Sequence, residues 1–268
     1  MFETNGELFA LDTGLLSDVG CVRTNNEDAG RILLDPASRQ SSERVLALVA
    51  DGMGGHRAGE VASALAAEAL EAAFPGMRSD PGDRLKQAVV DANQRIFTES
   101  AKSAERHGMG TTCTALLLQD GQAYAAHVGD SRIYLLRDGE LYLATEDHSQ
   151  VMEMVRAGFL TIGEARHHPG KNIITRALGR QAEIEVDTWP QPLALQSGDT
   201  FLLCSDGLCD AMEDDEIYAT ISGRSAREAC EELVRLARQR HAADNVTVAI
   251  VRLLSLATKD RELDLLVD

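Results

Sequence analysis

Carboxylates at the ends of apolar runs are the residues of this chain best suited to chemistry. Val45-Leu46-Ala47-Leu48-Val49-Ala50 leads straight into Asp51, and Gly52-Met53-Gly54-Gly55-His56 follows. An apolar run closed by glycines reads as a buried strand. A carboxylate buried at its exit is costly unless a cation pairs with it. The glycines let the backbone approach whatever is bound there, and the Gly52 carbonyl could add an oxygen ligand. Asp-Gly is also common turn chemistry, so this pair alone decides little. Other runs repeat the pattern: Tyr124–Val128 leads through Gly129 to Asp130, and Phe201–Cys204 leads through Ser205 to Asp206. Asp244 stands just ahead of the apolar segment 246–251, and Glu27-Asp28 lies just beyond the first expected strand. One such aspartate is a turn residue or a helix cap; five positions at run boundaries predict a ligand set gathered at one edge of a sheet. Carboxylates brought together repel unless divalent cations hold them. Oxygen ligands without Cys or His select Mg²⁺ or Mn²⁺ over zinc.

A carboxylate-held metal pair is a device for hydrolysing phosphate esters by metal-activated water. The substrate phosphate needs a positive, bidentate partner, and Arg23, four residues before Glu27, is the candidate. Covalent routes lack their residues. None of the five cysteines has an arginine six positions on, and no Asp-x-Asp follows the first strand.

Composition bounds the rest. The 268 residues are 44% hydrophobic and 26% charged, enough for a sizeable core, which at 4% aromatic must be aliphatic and alanine-rich. A formal charge of −17 argues against binding nucleic acid, which needs a basic surface. Cys21, Cys113, Cys204, Cys209 and Cys230 contain no C-x-x-C pair, so neither a disulfide framework nor a zinc site is expected. The N-terminus shows no secretion signal and no stretch is long enough to span a membrane; the expected location is the cytoplasm.

The elements that must position these residues follow from periodicity and turn chemistry. Residues 1–14 read as a lead-in of low information. Strands are predicted within 13–22 and over 45–50, and a helix over 56–74. A second helix begins at Asp80-Pro81 as cap and first position, with Leu85, Val89, Ala92 and Ile96 on one face. Asp120-Gly121 and Asp138-Gly139 predict hairpins joining strands 111–119 with 122–128 and 132–137 with 140–144. Residues 147–180 read as an irregular excursion with a short helical pattern. Strands over 183–188, 200–204 and 246–253 complete the set, with a helix opened by a Ser225–Glu228 capping box. Hairpins in the middle and helices in separate blocks predict an α+β layered domain. One domain over 1–254 is expected, with a tail over 255–268 that is either a loose helix or disordered.

The chain resembles the metal-dependent serine/threonine protein phosphatases (the PPM or type 2C class) in their compact bacterial form. Ordered motifs across 12–253 carry the resemblance: Arg23-Thr24-Asn25-Asn26-Glu27-Asp28, Asp51-Gly52-Met53-Gly54-Gly55-His56 with Gly59-Glu60, Gly110-Thr111-Thr112, and Val128-Gly129-Asp130-Ser131-Arg132. Thr145-Glu146-Asp147-His148-Ser149, Ile174-Thr175-Arg176-Ala177-Leu178-Gly179, Ser205-Asp206-Gly207-Leu208 and Asp244-Asn245-Val246-Thr247 complete them. The resemblance implies a four-layer αββα sandwich, with two central antiparallel sheets flanked by helices. It implies that Asp51 bridges two core metals, that the Gly52 carbonyl binds one and that Asp206 and Asp244 hold the other. Glu27 would act through a metal-bound water with Asp28 close behind it. Asp130 and Asp206 would form a third, weaker site, and Arg23 would hold the phosphate. A flap would cover 148–175. Many eukaryotic members carry a histidine after the Asp-Gly pair; here Met53 stands there, so a metal-bound water is the expected proton donor, with His148 and His56 in reserve.

The expected activity is Mg²⁺/Mn²⁺-dependent hydrolysis of phosphoserine and phosphothreonine in phosphoproteins, by a monomer opposing a cognate serine/threonine kinase. The alternative is a non-catalytic or regulator-dependent relative that binds phosphoproteins. Loss of a metal-ligand aspartate would mark the non-catalytic form, and none is missing.

Overall fold

Residues 2–4, 7–35, 44–54 and 58–255 are described by a computed structural model. The first half holds strands β1 (Phe2–Thr4), β2 (Glu7–Asp18), β3 (Asp28–Asp35) and β4 (Arg44–Met53), then helices α1 (Ala58–Ala73) and α2 (Pro81–Ser100). Strands β5 (Gly110–Thr111), β6 (Cys113–Gln119), β7 (Gln122–Val128), β8 (Arg132–Arg137) and β9 (Glu140–Leu143) follow. Two short helices come next, α3 (Gln150–Arg156) and α4 (Ile162–Arg166), and then β10 (Asp187–Thr188), β11 (Leu193–Ala194) and β12 (Thr200–Cys204). The last described elements are α5 (Asp206–Cys209), α6 (Asp214–Ile221), α7 (Ala226–Gln239) and β13 (Val246–Ser255).

The strands form two antiparallel sheets, β1-β2-β13-β12-β8-β9 and β10-β7-β6-β4-β3. Alternate residues of the central strands serve two different cores, which explains why these strands are continuously apolar. Val45, Ala47 and Val49 of β4 meet Phe201 and Leu203 of β12 and Ala249 and Val251 of β13 between the sheets. Leu46, Leu48 and Ala50 instead pack under α1 and α2 with Leu70, Leu85, Val89 and Ile96. On the other outer face Leu202 and Cys204 pack with Leu233, Val234 and Ile250 beneath α5, α6 and α7. Three cores between four layers make the αββα sandwich, and each fully buried Leu or Val in them contributes about 1.5–3 kcal/mol.

Both expected hairpins form. Asp120 and Gly121 have φ of 51° and 73°, and Asp138 and Gly139 have 52° and 81°. Two consecutive positive values are the type I′ turn that suits the twist of a hairpin. The α7 capping box is present, with the Ser225 amide donating to Glu228 Oε2 at 3.0 Å and the Glu228 amide donating to Ser225 Oγ at 3.3 Å.

Other expectations need correction. Residues 7–14 are no lead-in: β2 pairs with β13 along ten positions, from Phe9↔Ser255 to Asp18↔Val246. Strand β3 went unrecognised because this edge strand is half-buried along its length and its apolar positions do not alternate. Asp80 precedes α2 with φ 49° and its side chain makes no capping bond. Only Asp187–Thr188 of the expected strand over 183–188 is paired. The excursion after β9 holds α3 and α4 and is closed by a bridge between Ser149 and Ile174. The expected tail lies outside the described residues beyond Ser255, which ends β13. Among the described residues no helix is long and apolar enough to cross a membrane.

Candidate functional site

The expected carboxylates converge, but on one end of the sandwich rather than one edge of a single sheet. Asp28 opens β3 directly opposite Asp51 near the end of β4. The other sheet contributes Asp206, just past β12, and Asp244, just before β13. Asp130 lies in the link that carries the chain from β7 in one sheet to β8 in the other. Arg23, Glu27, Asp51, Gly52, Asp206 and Asp244 all line one cavity of about 370 Å³, which Met53, Asn172, Ile174 and Arg180 also help to form. An adjoining cavity of about 120 Å³ is lined by Asp130, Asp147, Asp210 and again Asp206.

The turn after Asp51 is held on every side. The Thr112 hydroxyl receives the Asp51 amide at 2.8 Å, and the Thr112 amide and the Thr111 hydroxyl both donate to the Asp51 carbonyl at 2.9 Å. The Gly52 amide donates to the Glu27 carbonyl at 3.1 Å. A Cβ on Gly52 would lie 2.2 Å from the Gly59 carbonyl oxygen and 2.4 Å from that of Glu27, so no side chain fits where α1 begins.

The Asp206 turn is held from the opposite sheet. Ser205 does not cap α5; its hydroxyl donates to Asp28 Oδ2 at 2.8 Å and accepts the Thr247 amide at 2.9 Å. This hydroxyl ties the two sheets together at the site. Asn245 fixes the loop that carries Arg23 and Glu27. Its Nδ2 donates to the Val19 and Asn25 carbonyls at 3.0 Å each, and its Oδ1 accepts the Glu27 amide at 2.8 Å. Arg23 itself donates to Asp244 Oδ2 at 2.6 Å.

Electrostatically the site gathers more buried carboxylates than the nearby arginines compensate. Burial and then Asp28 push the Asp51 carboxyl well above the usual carboxylate range; burial and then Asp130 do the same to Asp206. Burial raises Asp28 to about 6, against hydrogen bonds from Thr247 and Ser205, and raises Asp130 to about 7, helped by Asp147. Glu27 is also raised by burial, although Arg23 opposes it. Oδ1 of Asp28, Asp130 and Asp206 is buried with no hydrogen-bond partner. Orphaned acceptors of this kind are rare and call for a cation or water. Among the described residues no three His, Cys, Asp or Glu side chains form a closed cluster around a point. The fit to a hard cation rests on the orphaned oxygens and on an all-oxygen donor set.

His148, a reserve proton donor, sits elsewhere. It is 3% exposed; its Nδ1 accepts the Gly129 amide at 3.0 Å, which leaves the proton on Nε2 facing Asp187 Oδ2 at 3.1 Å. Its contacts hold the link carrying Asp130, and it lines neither cavity. His56 lies outside the described residues. Thr112, Ser205 and Asn245 stood in the sequence motifs without an assigned task; for Ser205 and Asn245 the signal available was a hydroxyl or amide beside a ligand-like aspartate, and Thr112 carried none.

The family model for protein phosphatase 2C matches residues 22–255. The chain belongs to this family. Among its relatives, the protein phosphatase PhpP of Streptococcus pneumoniae is 40% identical over 246 residues, covering 90% of this chain and 97% of the relative. The serine/threonine phosphatase Stp of Listeria welshimeri is 37% identical over 241 residues, covering 88% and 93%. The crystal structure of the Mycobacterium tuberculosis serine/threonine phosphatase PstP/Ppp superposes with a TM-score of 0.83 at 38% identity, covering 92% of this chain and all of that one. A structure of the PstP catalytic domain in complex with two manganese ions superposes with a TM-score of 0.79 at 36% identity, over 92% of this chain. The αββα layering found here is thus that of bacterial members of the protein phosphatase 2C family.

Proposed function

We propose that this protein is a Mg²⁺- or Mn²⁺-dependent phosphatase that hydrolyses phosphoserine and phosphothreonine in proteins. The observation that carries the reading is the convergence of Asp28, Asp51, Asp130 and Asp206 at one end of the sandwich, three of them with an orphaned buried oxygen, beside two adjoining cavities of which one also holds Arg23. Asp51 and the Gly52 carbonyl would hold one core ion, with Asp51 shared by the second, which Asp206 and Asp244 would complete. Glu27 would act through water. Asp130 with Asp206 would take a third, weaker ion in the adjoining cavity. Ions held by these residues would supply an activated water for attack on phosphorus and neutralise charge on the phosphoryl oxygens.

The chain's own residues do the positioning. Arg23, paired with Asp244 in the free chain, exchanges that carboxylate for the phosphoryl oxygens and holds the phosphate in the cavity. Asp28 stands behind Asp51 and accepts a hydrogen bond from the Ser205 hydroxyl, which keeps the two sheets' ligands in register. Met53 has no proton to give, and among the described residues no histidine lines the cavity, so the leaving oxygen takes its proton from water. The segment 148–175 borders both cavities through Met152, Lys171, Asn172 and Ile174, and acts as the flap that meets the phosphoprotein. A cytoplasmic monomer working against a serine/threonine kinase fits this reading.

Asp206→Asn tests it. Hydrolysis of a small aryl phosphate in Mn²⁺ should fall by about a thousandfold or more, because the variant loses an anionic ligand. Retention of more than about a tenth of the rate would overturn the metal assignment. A phosphoprotein-binding relative without catalysis would show no turnover in the parent protein.

A further inference from the structure

We propose that Cys204 and Cys209 form a peroxide-reactive dithiol that closes to a disulfide across the Asp206 turn. The loss of activity expected from it rests on the phosphatase reading; formation of the bond does not.

The two sulfur atoms lie 3.4 Å apart. Cys204 ends β12 and Cys209 ends α5, so Ser205 and the α5 residues Asp206, Gly207 and Leu208 lie between them. A disulfide of about 2.05 Å needs the sulfurs to approach by only about 1.4 Å. Cys204 is fully buried, whereas Cys209 is 8% exposed and lines the cavity of about 120 Å³ that also holds Asp130, Arg132 and Asp206. That volume admits a molecule the size of hydrogen peroxide.

The surroundings decide which sulfur reacts first. Cys209 Sγ faces the Tyr134 hydroxyl at 3.7 Å, and Arg132 Nη1 donates to that hydroxyl at 3.0 Å. The hydrogen bond from Cys204 lowers the Cys209 thiol below its ordinary range against its burial, and Arg132 adds to the effect. Of the two cysteines only Cys209 lines the cavity, so its sulfur is the one that peroxide meets first.

The chemistry balances with hydrogen peroxide as the oxidant. The Cys209 thiolate attacks one peroxide oxygen, the O–O bond breaks, and Cys209 sulfenic acid and hydroxide result. Cys204 sulfur then attacks Cys209 sulfur, the S–S bond forms, the S–O bond breaks, and the oxygen leaves as water with the Cys204 proton. Two thiols have given two electrons to one peroxide, and a thiol reductant reverses the change.

The turn between the cysteines has no slack to absorb this closure. A Cβ on Gly207 would lie 2.1 Å from the Asn245 carbonyl oxygen, so the loop backbone is pressed against the segment that carries Asp244. Drawing Cys209 toward β12 therefore displaces Asp206.

The test uses the full chain, Mn²⁺-loaded, with the exposed Cys21 changed to Ser and hydrogen peroxide as the probe. Treatment should yield a peptide containing Cys204 and Cys209 that is two hydrogens lighter and resists alkylation until reduced. Hydrolysis of an aryl phosphate should drop about tenfold in parallel, and dithiothreitol should reverse both changes. Cys209→Ser and, as a second variant, Cys204→Ala should keep their own activity through the same treatment. Absence of the lighter peptide, or equal inactivation of both variants, would overturn the proposal. A parent protein inactive before peroxide would count against the phosphatase reading alone, since the peptide readout would stand.

Discussion

Arg23 and Asp51 divide the work of the site by charge, and their surroundings differ accordingly. Asp51 is gripped through its backbone by Thr111 and Thr112, so its carboxylate is aimed before any ion arrives. Arg23 is exposed and tied only at its tip, to Asp244 at 2.6 Å, which leaves the guanidinium free to exchange carboxylate for phosphate. An exposed pair of this kind contributes about 0–1 kcal/mol to stability, so it serves binding rather than folding. Arg23→Ala should therefore leave thermal stability unchanged and raise KM for an aryl phosphate about tenfold, with kcat within about threefold of the parent. Steady-state kinetics in Mn²⁺ checks this; a collapsed kcat at unchanged KM would assign Arg23 to the transition state instead.

At the scale of elements, the site exists because loops from both sheets are stitched together by neutral polar side chains. Asn245 is the centre of the stitching: 3% exposed, it satisfies two carbonyls and one amide of the segment between β2 and β3. Asn245→Ala removes the partner of those groups; water can reach Val19, Asn25 and Glu27, which are partly or fully exposed, so the expected loss is about 2–4 kcal/mol in urea unfolding. Asn245→Asp should not rescue it, because a carboxylate cannot donate to the Val19 and Asn25 carbonyls. A loss under about 0.5 kcal/mol in both would show that this loop is held by other contacts. This layer of the structure was the hardest to read from sequence. The aspartates were legible because a carboxylate after Val128-Gly129 or after Cys204-Ser205 breaks an apolar run, and the hairpins were legible because Asp-Gly selects a type I′ turn. Strand β3 gave no such contrast, and β2 looked uninformative because Glu7–Asp18 gains its pairing from β13, more than two hundred residues away. Asn245 and Ser205 are ordinary polar residues until their partners are known. That the ligand set spans two sheets follows from strand order, which local pattern does not encode.

The whole molecule trades stability for an anionic pocket, and pH exposes the trade. Asp28 and Asp130 are raised to about 6 and about 7, and Asp51 and Asp206 well above the usual carboxylate range, all with burial as the largest cause. Such groups hold protons in the folded chain that the unfolded chain has already released, so stability falls as pH rises through their folded values. Other groups pull the opposite way at lower pH. Burial lowers His127 to about 4 and also lowers His148, so the unfolded chain takes up the extra protons below about 6.5. Hydrogen bonds lower Asp35 and Glu216, which are ionised in both states well before neutrality. Between about pH 6.5 and 8 the raised site carboxylates dominate the slope. The melting temperature of the ion-free protein should thus fall by about 5 °C across that window. Saturating Mn²⁺ should remove the slope and raise the melting temperature more at pH 8 than at pH 6.5, since the ion takes the place of the protons. Asp130→Asn should flatten part of the ion-free slope, because its amide cannot titrate. A melting temperature that stays level from pH 6.5 to 8 without ions would mean that these carboxylates are already compensated within the protein, and the case for cations at this site would fail.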